Sequence, residues 1–198
     1  MKIIKLTENN LTQAVAASCE VLRNGGVVLL PTETVYGLVC PFQDKDAEER
    51  IYKLKMRDKN KRFAAFVKDY RSLAKYGLKI TPLIAEMADT YCPGKITIIG
   101  ECENGDTLGF RMPDHEFITA LLTELDFPLS STSANVSGEP NITCVEEAIT
   151  SLNGEVDLVI DGGVIPENSL ASTVVDCSKG DKAVILRQGG LVIDTKFL

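Results

Sequence analysis

The pattern of apolar and polar positions predicts short buried strands separated by amphipathic helices. Apolar residues recur at helical spacing in five segments, over about residues 10–24, 44–56, 81–93, 117–125 and 145–152. Short apolar runs predict strands at residues 27–30, 63–67, 96–99, 108–112, 128–131, 156–160, 173–176 and 183–186. Residues 36–40 fit a short strand or a helical turn equally well. This order predicts an α/β fold with α+β character, in which helices flank a twisted mixed sheet.

The composition is that of an ordinary globular domain. The chain has 198 residues, of which 44% are hydrophobic and 25% charged, so we expect a single domain over residues 1–198 with a sizeable core. The net charge of −7 argues against a general nucleic-acid binder, although a small basic cleft fits within an acidic body. No apolar run reaches 18 residues, so we expect no membrane span, and the first five residues are too few and too charged for a secretory signal.

The six cysteines are scattered along the chain and form no C-x-x-C pair. Their positions are Cys19, Cys40, Cys92, Cys102, Cys144 and Cys177. This spacing fits neither a zinc site nor a compact disulfide framework, so we expect free thiols and a cytoplasmic protein. His115 is the only histidine, and we expect it to cap the helix at 115–125 or to contact the rim of a ligand groove.

The stretch over residues 25–38 is the most informative segment. Its four apolar residues predict a buried strand that stops at Pro31, which cannot donate to a sheet ladder. Thr32, Glu33 and Thr34 then place two hydroxyls and a carboxylate at the carboxyl end of that strand, where open α/β sheets bind ligands. An ordinary polar turn would account for the same residues.

Three arginines stand where an anionic ligand could bind. Arg57 follows a predicted helix within a run of cations over residues 55–62, which would also serve as a solvated basic face. Arg111 lies in an apolar strand, so it either pairs with a structural carboxylate or points into a cleft towards an anion. Arg187 precedes Gly189, where the backbone could approach a ligand closely.

Two hydroxyl-rich segments accompany these cations. Residues 130–138 are dense in serine, which suits polar turns but also a cradle for phosphate or ribose. Residues 171–176 add further hydroxyls at the start of another predicted strand. The chain has neither a Walker A sequence nor G-x-G-x-x-G. Together, these clusters indicate a cleft for a multiply charged anion in an acidic protein.

Seven segments occur in an order that resembles the YrdC family, the threonylcarbamoyl-AMP synthases of the short TsaC type. They are P-T-E-T-V-Y-G-L within residues 26–38, K-x-R at Lys55 and Arg57, Pro93-Gly94 with Thr97, Arg111-Met112-Pro113, S-x-N within residues 131–138, residues 172–176, and Leu186-Arg187. The segments extend over nearly the whole chain. The chain ends where the short family members end, so we expect no additional C-terminal domain.

The resemblance implies a reaction and an architecture. L-threonine, bicarbonate and ATP would give threonylcarbamoyl-AMP and pyrophosphate, which makes the chain a nucleotidyltransferase serving threonylcarbamoyl-adenosine formation in tRNA. The family fold is an open α/β fold with a large central groove. The resemblance also implies Mg²⁺ bound through the ATP phosphates with few protein ligands. It implies no organic cofactor, and it implies partners among the tRNA-modification proteins that use the product.

The resemblance assigns roles residue by residue. Threonine-binding positions are matched by Thr32, Arg111, Ser131 and Ser172. ATP-binding positions are matched by Arg57, Lys61, Thr107, Ser133, Asn135, Asn141 and Arg187. Lys55 and Arg57 are the expected catalytic residues, with Lys55 stabilising the carboxylated intermediate or a phosphate. No residue is assigned as a metal ligand.

Four positions depart from the family pattern. Arg62 and Lys95 stand where proline is frequent, Phe66 where some members carry a threonine-contacting histidine, and Gln188 where R-P-G is usual. These features and the ending Lys196-Phe197-Leu198 resemble the YciO paralogues, for which we expect binding or hydrolysis of nucleotide without threonine. The intact K-x-R and S-x-N motifs favour the synthases instead, because a diverged paralogue would be expected to lose them. A non-catalytic RNA- or ribosome-binding factor with weak RNA affinity is the remaining alternative, and the net charge of −7 argues against broad affinity.

Overall fold

The computed structural model describes residues 1–166 and 168–198 and is built around one ten-stranded sheet. The strands are β1 (Lys2–Lys5), β2 (Val28–Leu30), β3 (Gly37–Pro41), β4 (Ala64–Phe66), β5 (Ile96–Glu101), β6 (Thr107–Arg111), β7 (Leu129–Ser133), β8 (Leu158–Asp161), β9 (Thr173–Asp176) and β10 (Val184–Arg187). The helices are α1 (Leu11–Arg23), α2 (Lys45–Leu54), α3 (Pro82–Tyr91), α4 (Glu116–Glu124) and α5 (Val145–Ser151). Short 3-10 helices cover Tyr70–Tyr76 and Thr195–Phe197.

The sheet is mixed, as the sequence predicts. Its strand order is β1-β8-β2-β3-β7-β4-β6-β5-β9-β10. The pairs β1/β8, β2/β8, β4/β6 and β5/β9 are parallel, and the other neighbours are antiparallel. The undecided segment at 36–40 forms β3, which pairs with β2 and β7. Strand β7 is therefore a central strand, and the hydroxyl-rich residues at its end also lie near the centre of the sheet.

Side chains of the central strands alternate between the two faces of the sheet. Val28, Leu30 and Val39 pack with α1 and α4, whereas Leu29 and Leu38 pack with α2 and α5 on the other face. A third core cluster packs α3 and the first 3-10 helix against one face of β4, β5, β6 and β9. The opposite face of these strands lines a groove, so the core fixes which residues reach it.

The end of α2 positions the K-x-R segment. The helix begins at an Asp44 cap, whose carboxylate accepts from the backbone N–H groups of Asp46 and Ala47. We predicted a helix to residue 56, but it ends at Leu54, because Met56 adopts a left-handed conformation with φ of 49°. This turn redirects the chain, so that Lys55 points into the protein and the following residues form a loop.

Two short elements of the structure were not predicted from the sequence. The four-residue edge strand β1 was missed, since K-I-I-K is short and its partner β8 is distant in sequence. The 3-10 helix at Tyr70–Tyr76 was also missed. All six cysteines are free thiols, as expected. Among the described residues, no helix has both the length and the apolar character that a membrane crossing requires.

Candidate functional site

A groove with a cavity of about 310 Å³ lies over four neighbouring strands. On three of these strands the lining follows the period-two alternation, with Ala64 and Phe66 on β4, Thr97 and Ile99 on β5, and Gly109 and Arg111 on β6. On β7 the consecutive residues Ser131, Thr132 and Ser133 all line the groove. The intervening residues Ala65, Ile98 and Phe110 are fully buried in the core beneath. The sheet register therefore selects the side chains that face a ligand.

Most of the predicted site residues line this groove. Those on the lining are Thr32, Arg57, Thr107, Arg111, Ser131, Ser133, Asn141, Ser172 and Arg187. Those outside the described lining are Lys55, Lys61 and Asn135. These residues are far apart in the sequence, from Thr32 to Arg187, and the structure brings them together in one groove. The roles assigned to them remain predictions.

The loop after β2 is organised by the hydroxyl of Thr32. Thr32 Oγ1 accepts hydrogen bonds from the backbone N–H groups of Thr34 and Val35, at 3.0 and 3.1 Å. It also lies 2.6 Å from the carbonyl oxygen of Val35 and 2.8 Å from the hydroxyl of Thr34. These contacts fold the loop into a tight turn, which directs Glu33 and Thr34 towards β6.

Arg111 satisfies both alternatives that the sequence left open. Its Nη2 donates to Glu33 Oε1 and to Thr34 Oγ1, each at 2.8 Å, so it has a structural carboxylate partner. The same side chain lines the groove, with its guanidinium 5.7 Å from the centre of the Phe66 ring. Glu33 Oε2 and Arg111 Nε are buried and have no hydrogen-bond partner among the described residues. The pair is therefore electrostatically balanced but retains hydrogen-bonding capacity.

Arg187 is held by neutral oxygen atoms. Its Nη2 donates to the backbone carbonyl of Ser172 at 2.9 Å and lies 3.3 Å from Ser172 Oγ, and its Nε donates to the same carbonyl at 3.3 Å. Ser172 Oγ in turn lies 2.8 Å from Thr97 Oγ1. Burial lowers the pKa of Arg187, and the nearby charge of Arg111 lowers it further. The two guanidiniums therefore share one region of the groove.

Arg57 organises the loop that follows α2. Its Nε donates to the carbonyl of Lys61 at 3.2 Å, and its Nη2 donates to the carbonyl of Arg62 at 2.9 Å. The guanidinium lies 5.6 Å from the centre of the Phe63 ring. Burial lowers the pKa of Arg57. The loop thus wraps around a cation whose hydrogen-bond partners in the described residues carry no formal charge.

Lys55 lies beneath the groove and supports its hydroxyl-rich wall. Its side chain is 1% exposed, and Nζ donates to the carbonyls of Ser133 and Asn135, the latter at 2.6 Å. Burial lowers the pKa of Lys55 to about 7, with smaller contributions from the charges of Arg57 and Lys61. The ammonium therefore holds the loop after β7 in place from behind.

Asn135 also has local structural contacts. Its Nδ2 donates to the carbonyls of Val136 and Glu139, at 3.1 and 2.6 Å, which closes the turn after β7. Its buried Oδ1 has no hydrogen-bond partner among the described residues. Lys61 contributes its carbonyl to Arg57 rather than its side chain to the lining. Both residues are therefore adjacent to the groove walls.

Other lining residues were not predicted as site residues. Tyr36, Phe63 and Arg62 line the groove, and Arg62 had been noted only as a departure from the family pattern. Tyr36 is fully buried, and its hydroxyl donates to the carbonyl of Gly163. A hydrophobic pattern alone gave no signal for Tyr36 or Phe63, because both also serve the core.

His115 does not cap α4 through its side chain. It occupies the N-cap position without a side-chain hydrogen bond, and its buried Nδ1 has no partner in the described residues. Burial lowers its pKa, although the nearby carboxylates of Glu33, Glu116 and Asp114 act in the opposite direction. His115 is therefore the N-cap residue of α4, as expected, but it caps without a side-chain hydrogen bond. It is absent from the described lining of the groove.

The described residues contain no group of three or more His, Cys, Asp or Glu side chains arranged to hold a metal ion. The described part of the groove lining consists of cationic, hydroxyl, amide and apolar groups and carries no carboxylate. This surface suits a ligand that brings its own negative charge. The charge pattern was predicted from the sequence, and the structure places the groups within one cavity.

Comparison with known proteins places the chain among relatives of the same architecture. The family model Sua5/YciO/YrdC, described as telomere recombination, matches residues 20–189. A threonylcarbamoyl-AMP synthase of Bacillus subtilis is 33% identical over 192 residues, covering 89% of this chain and 54% of the relative. The crystal structure of P. abyssi Sua5 complexed with L-threonine superposes with a TM-score of 0.82 at 29% identity, covering 96% of this chain and 57% of that one.

A second structural relative matches this chain over nearly the full length of both. The crystal structure of E. coli YciO superposes with a TM-score of 0.84 at 27% identity and covers 100% of this chain and 98% of that one. By contrast, the chain spans only about half of the Bacillus subtilis relative. The family model covers most of the sequence, including every segment of the groove described above. The chain therefore belongs to the Sua5/YciO/YrdC family.

Proposed function

We propose that the chain is an L-threonylcarbamoyladenylate synthase. It converts L-threonine, bicarbonate and ATP into threonylcarbamoyl-AMP and pyrophosphate, and the product serves threonylcarbamoyl-adenosine formation in tRNA. Relatives named threonylcarbamoyl-AMP synthase support an enzyme of the transferase type. The finer assignment as a nucleotidyltransferase rests on the groove.

One observation carries the proposal. Arg57, Arg111 and Arg187 converge with the hydroxyls of Thr32 and Ser133 on a single cavity in a chain of net charge −7. Guanidinium groups bind carboxylate and phosphate oxygens through two parallel hydrogen bonds, and hydroxyls complete their solvation. A groove with this lining suits a ligand that carries both a carboxylate and a polyphosphate.

The two substrates would occupy different ends of the groove. The threonine carboxylate lies at Arg111 and Ser172, with Thr32 and Ser131 near its side chain and amine. The nucleotide lies at Arg57, Thr107, Ser133, Asn141 and Arg187. Support for the threonine end comes from the P. abyssi Sua5 relative, whose structure is complexed with L-threonine. Arg111 and Arg187 lie close enough for their charges to interact, so they would bring the two substrates together.

The proposed chemistry requires positioning and charge stabilisation. Bicarbonate takes up a proton and loses its hydroxyl oxygen as water, which leaves a carbon dioxide equivalent. The threonine amine attacks the carbon of that equivalent and loses a proton, which gives a carbamate. A carbamate oxygen then attacks the α-phosphorus of ATP, the bond from that phosphorus to the bridging oxygen breaks, and pyrophosphate leaves. Negative charge develops on the carbamate oxygens in the first step and on phosphate oxygens in the second. Fixed guanidiniums in a partly buried groove stabilise that charge with little reorganisation.

Lys55 takes a positioning role in this proposal. The sequence predicted that it stabilises the carboxylated intermediate or a phosphate. Its Nζ instead contacts the carbonyls of Ser133 and Asn135 and lies outside the described lining. These contacts support a role in holding the Ser133 hydroxyl and the neighbouring backbone at the nucleotide.

Magnesium enters the proposal as part of the substrate, MgATP. The described lining offers hydroxyls and no carboxylate, which fits a cation bound mainly by phosphate oxygens and water. Bound in this way, Mg²⁺ supplies charge neutralisation on the phosphates. The chain's own residues, led by Arg57 and Arg187, orient the phosphate groups.

The test is the release of pyrophosphate from MgATP, with threonine and bicarbonate omitted in turn. We expect release to require both, together with a product of the mass of threonylcarbamoyl-AMP. Arg57→Ala should abolish turnover while far-UV circular dichroism shows that the fold is retained, with some loss of melting temperature because two hydrogen bonds to the loop are removed. Lys59→Ala, which removes an exposed cation from the same loop, is the control. Turnover unchanged in Arg57→Ala, or release independent of threonine, would contradict the proposal.

A second candidate is a YciO-type activity on nucleotide alone. Its specific support is the E. coli YciO structure, which matches this chain over essentially the full length of both. In that case nucleotide binding or hydrolysis would be independent of threonine and bicarbonate. The same omission experiment separates the candidates, because only the synthase needs all three substrates.

A further inference from the structure

An ion pair bridges two walls of the groove. Arg62, in the loop after α2, donates from Nη2 to Asp106 Oδ1 at 2.7 Å and from Nη1 to the carbonyl of Thr107 at 2.9 Å. Asp106 lies in the turn between β5 and β6, and Thr107 is the first residue of β6. The guanidinium of Arg62 therefore joins the loop organised by Arg57 to the β5–β6 hairpin.

The bridge stands at the boundary between two cavities. Arg62, Phe63 and Thr107 line the groove of about 310 Å³ and also a neighbouring cavity of about 370 Å³. Asp106 lines only the neighbouring cavity. Arg62 thus stands on the wall that the two cavities share, whereas its partner Asp106 is found only in the lining of the neighbouring cavity. A change of the Arg62 side-chain rotamer would move its guanidinium from Asp106 to a ligand in the groove.

The bridge is made of exposed groups, in contrast with the pair formed by Arg111. The side chains of Arg62 and Asp106 are 59% and 55% exposed, against 7% and 12% for Arg111 and Glu33. Hydrogen bonding to Arg62 lowers the pKa of Asp106, so the carboxylate is charged at neutral pH. Exposed ion pairs are weak and screened by salt. A multiply charged anion in the groove can therefore compete for Arg62, while it cannot readily displace the buried partner of Arg111.

We propose that Arg62 is a further phosphate-binding residue, which Asp106 holds at the groove wall and which transfers to the polyphosphate when nucleotide binds. This rests on the proposed function, because it assigns the nucleotide end of the groove to the side of Arg57 and Thr107. The backbone carbonyl of Arg62 accepts a hydrogen bond from Arg57 Nη2, and both residues line the groove. Arg62 then clamps the phosphates from the hairpin side, and its release from Asp106 frees that hairpin to adjust.

The experiment measures binding of MgATP and of inorganic pyrophosphate by calorimetry in the absence of threonine. Arg62→Ala should weaken binding of both by about tenfold, because it removes a charge-assisted hydrogen bond. Asp106→Asn should strengthen binding by about threefold, because Arg62 no longer has a competing carboxylate. In the double variant Arg62→Ala/Asp106→Asn, the strengthening should disappear and the dissociation constant should equal that of Arg62→Ala.

The matched control is Glu101→Gln. It removes one negative charge from the same hairpin by breaking the exposed Lys79–Glu101 pair, which has a similar separation of 2.9 Å and lies outside the described groove lining. Its dissociation constants should stay at the wild-type value. Melting temperatures of all variants establish that they fold.

Three outcomes would overturn the inference. Unchanged affinity in Arg62→Ala would show that Arg62 does not contact the phosphates. If Asp106→Asn strengthens ligand binding even in the Arg62→Ala background, the substitution acts only through the general electrostatic potential of the groove. Wild-type protein that binds neither MgATP nor pyrophosphate would overturn both this inference and the proposed function, whereas wild-type binding with unaffected variants would overturn the inference alone.

Discussion

The buried ammonium of Lys55 gives the sharpest test of the structure. Substitution Lys55→Met keeps the length and much of the volume of the side chain but removes the charge and both hydrogen bonds to the carbonyls of Ser133 and Asn135. A charged ammonium without a carboxylate partner is costly to bury. Burial lowers its pKa from an ordinary value of 10.5 to about 7, so Lys55 should make the stability of the protein depend on pH.

The sign and size of the effect follow from the two pKa values. Below about pH 7 the folded and unfolded chains are both protonated at Lys55, and the full cost of burying the charge is present. Between about pH 7 and 10.5 only the unfolded chain binds the proton, so the free energy of unfolding rises with pH. At ~1.4 kcal/mol per pH unit, the rise is about 3 kcal/mol between about pH 7 and pH 9.5 and about 5 kcal/mol in total.

The assay is urea denaturation of wild type and Lys55→Met at a series of pH values. The quantity of interest is the difference between their free energies of unfolding, in which the contributions of other titrating groups cancel. We expect the wild type to gain about 3 kcal/mol relative to Lys55→Met from about pH 7 to pH 9.5. The neutral amine retains two N–H donors, which match the two carbonyls of the loop after β7.

The matched control is Lys53→Met on helix α2. Its side chain is 72% exposed and forms only a 3.8 Å pair with Glu49, so its substitution should leave the pH profile of stability parallel to that of wild type. A difference between wild type and Lys55→Met that is flat over this pH range would refute the reasoning. It would mean that the two carbonyl contacts compensate the burial of the charge fully.

Three further predictions concern the neighbouring walls. Glu33→Gln should lower the free energy of unfolding by about 3 kcal/mol in urea denaturation, because it leaves the buried guanidinium of Arg111 without a carboxylate; a loss comparable to that of an exposed pair would contradict this. Arg187→Lys should weaken MgATP binding about tenfold in calorimetry with an unchanged melting temperature, because an ammonium cannot form the arginine fork. Gly189→Ala should lower the melting temperature and ATP affinity, because its Cβ would collide with the backbone before β9, whereas Gly190→Ala should be tolerated; equal effects would refute the packing.

The local pattern of the sequence predicted much of the fold. Strands with alternating or fully apolar character and helices with clear caps were recovered, because their signals lie within a few residues. Strand β1 was not predicted, because its four residues form a strand only by pairing in parallel with β8, which is distant in the sequence. The segment at residues 36–40 remained undecided for a related reason, because β2 and β7 on either side determine its conformation.

The positions of the site residues were less accessible from the sequence. Arginine type and strand context indicated an anion cleft, but the partner of each arginine depends on long-range packing. Glu33 and Arg111 are 78 residues apart, as are Lys55 and Ser133. The burial of Lys55 was missed because a K-x-R segment after a helix has the same pattern whether its lysine points inward or outward. The left-handed turn at Met56 decides this, and it carries no clear signal in the sequence.

The partners of the four arginines explain why an acidic protein presents a groove suited to anions. Arg111 is neutralised by a buried carboxylate and Arg62 by an exposed one, whereas the hydrogen-bond acceptors of Arg57 and Arg187 in the described residues are uncharged oxygens. Uncompensated charge therefore concentrates at Arg57 and Arg187, which are the groups assigned to the nucleotide. A polyphosphate gains most there, and a single carboxylate such as that of threonine suits the balanced pair at Arg111. The distribution of counter-charges thus makes the two ends of the groove electrostatically different. Neither the net charge of −7 nor the number of arginines would predict this difference.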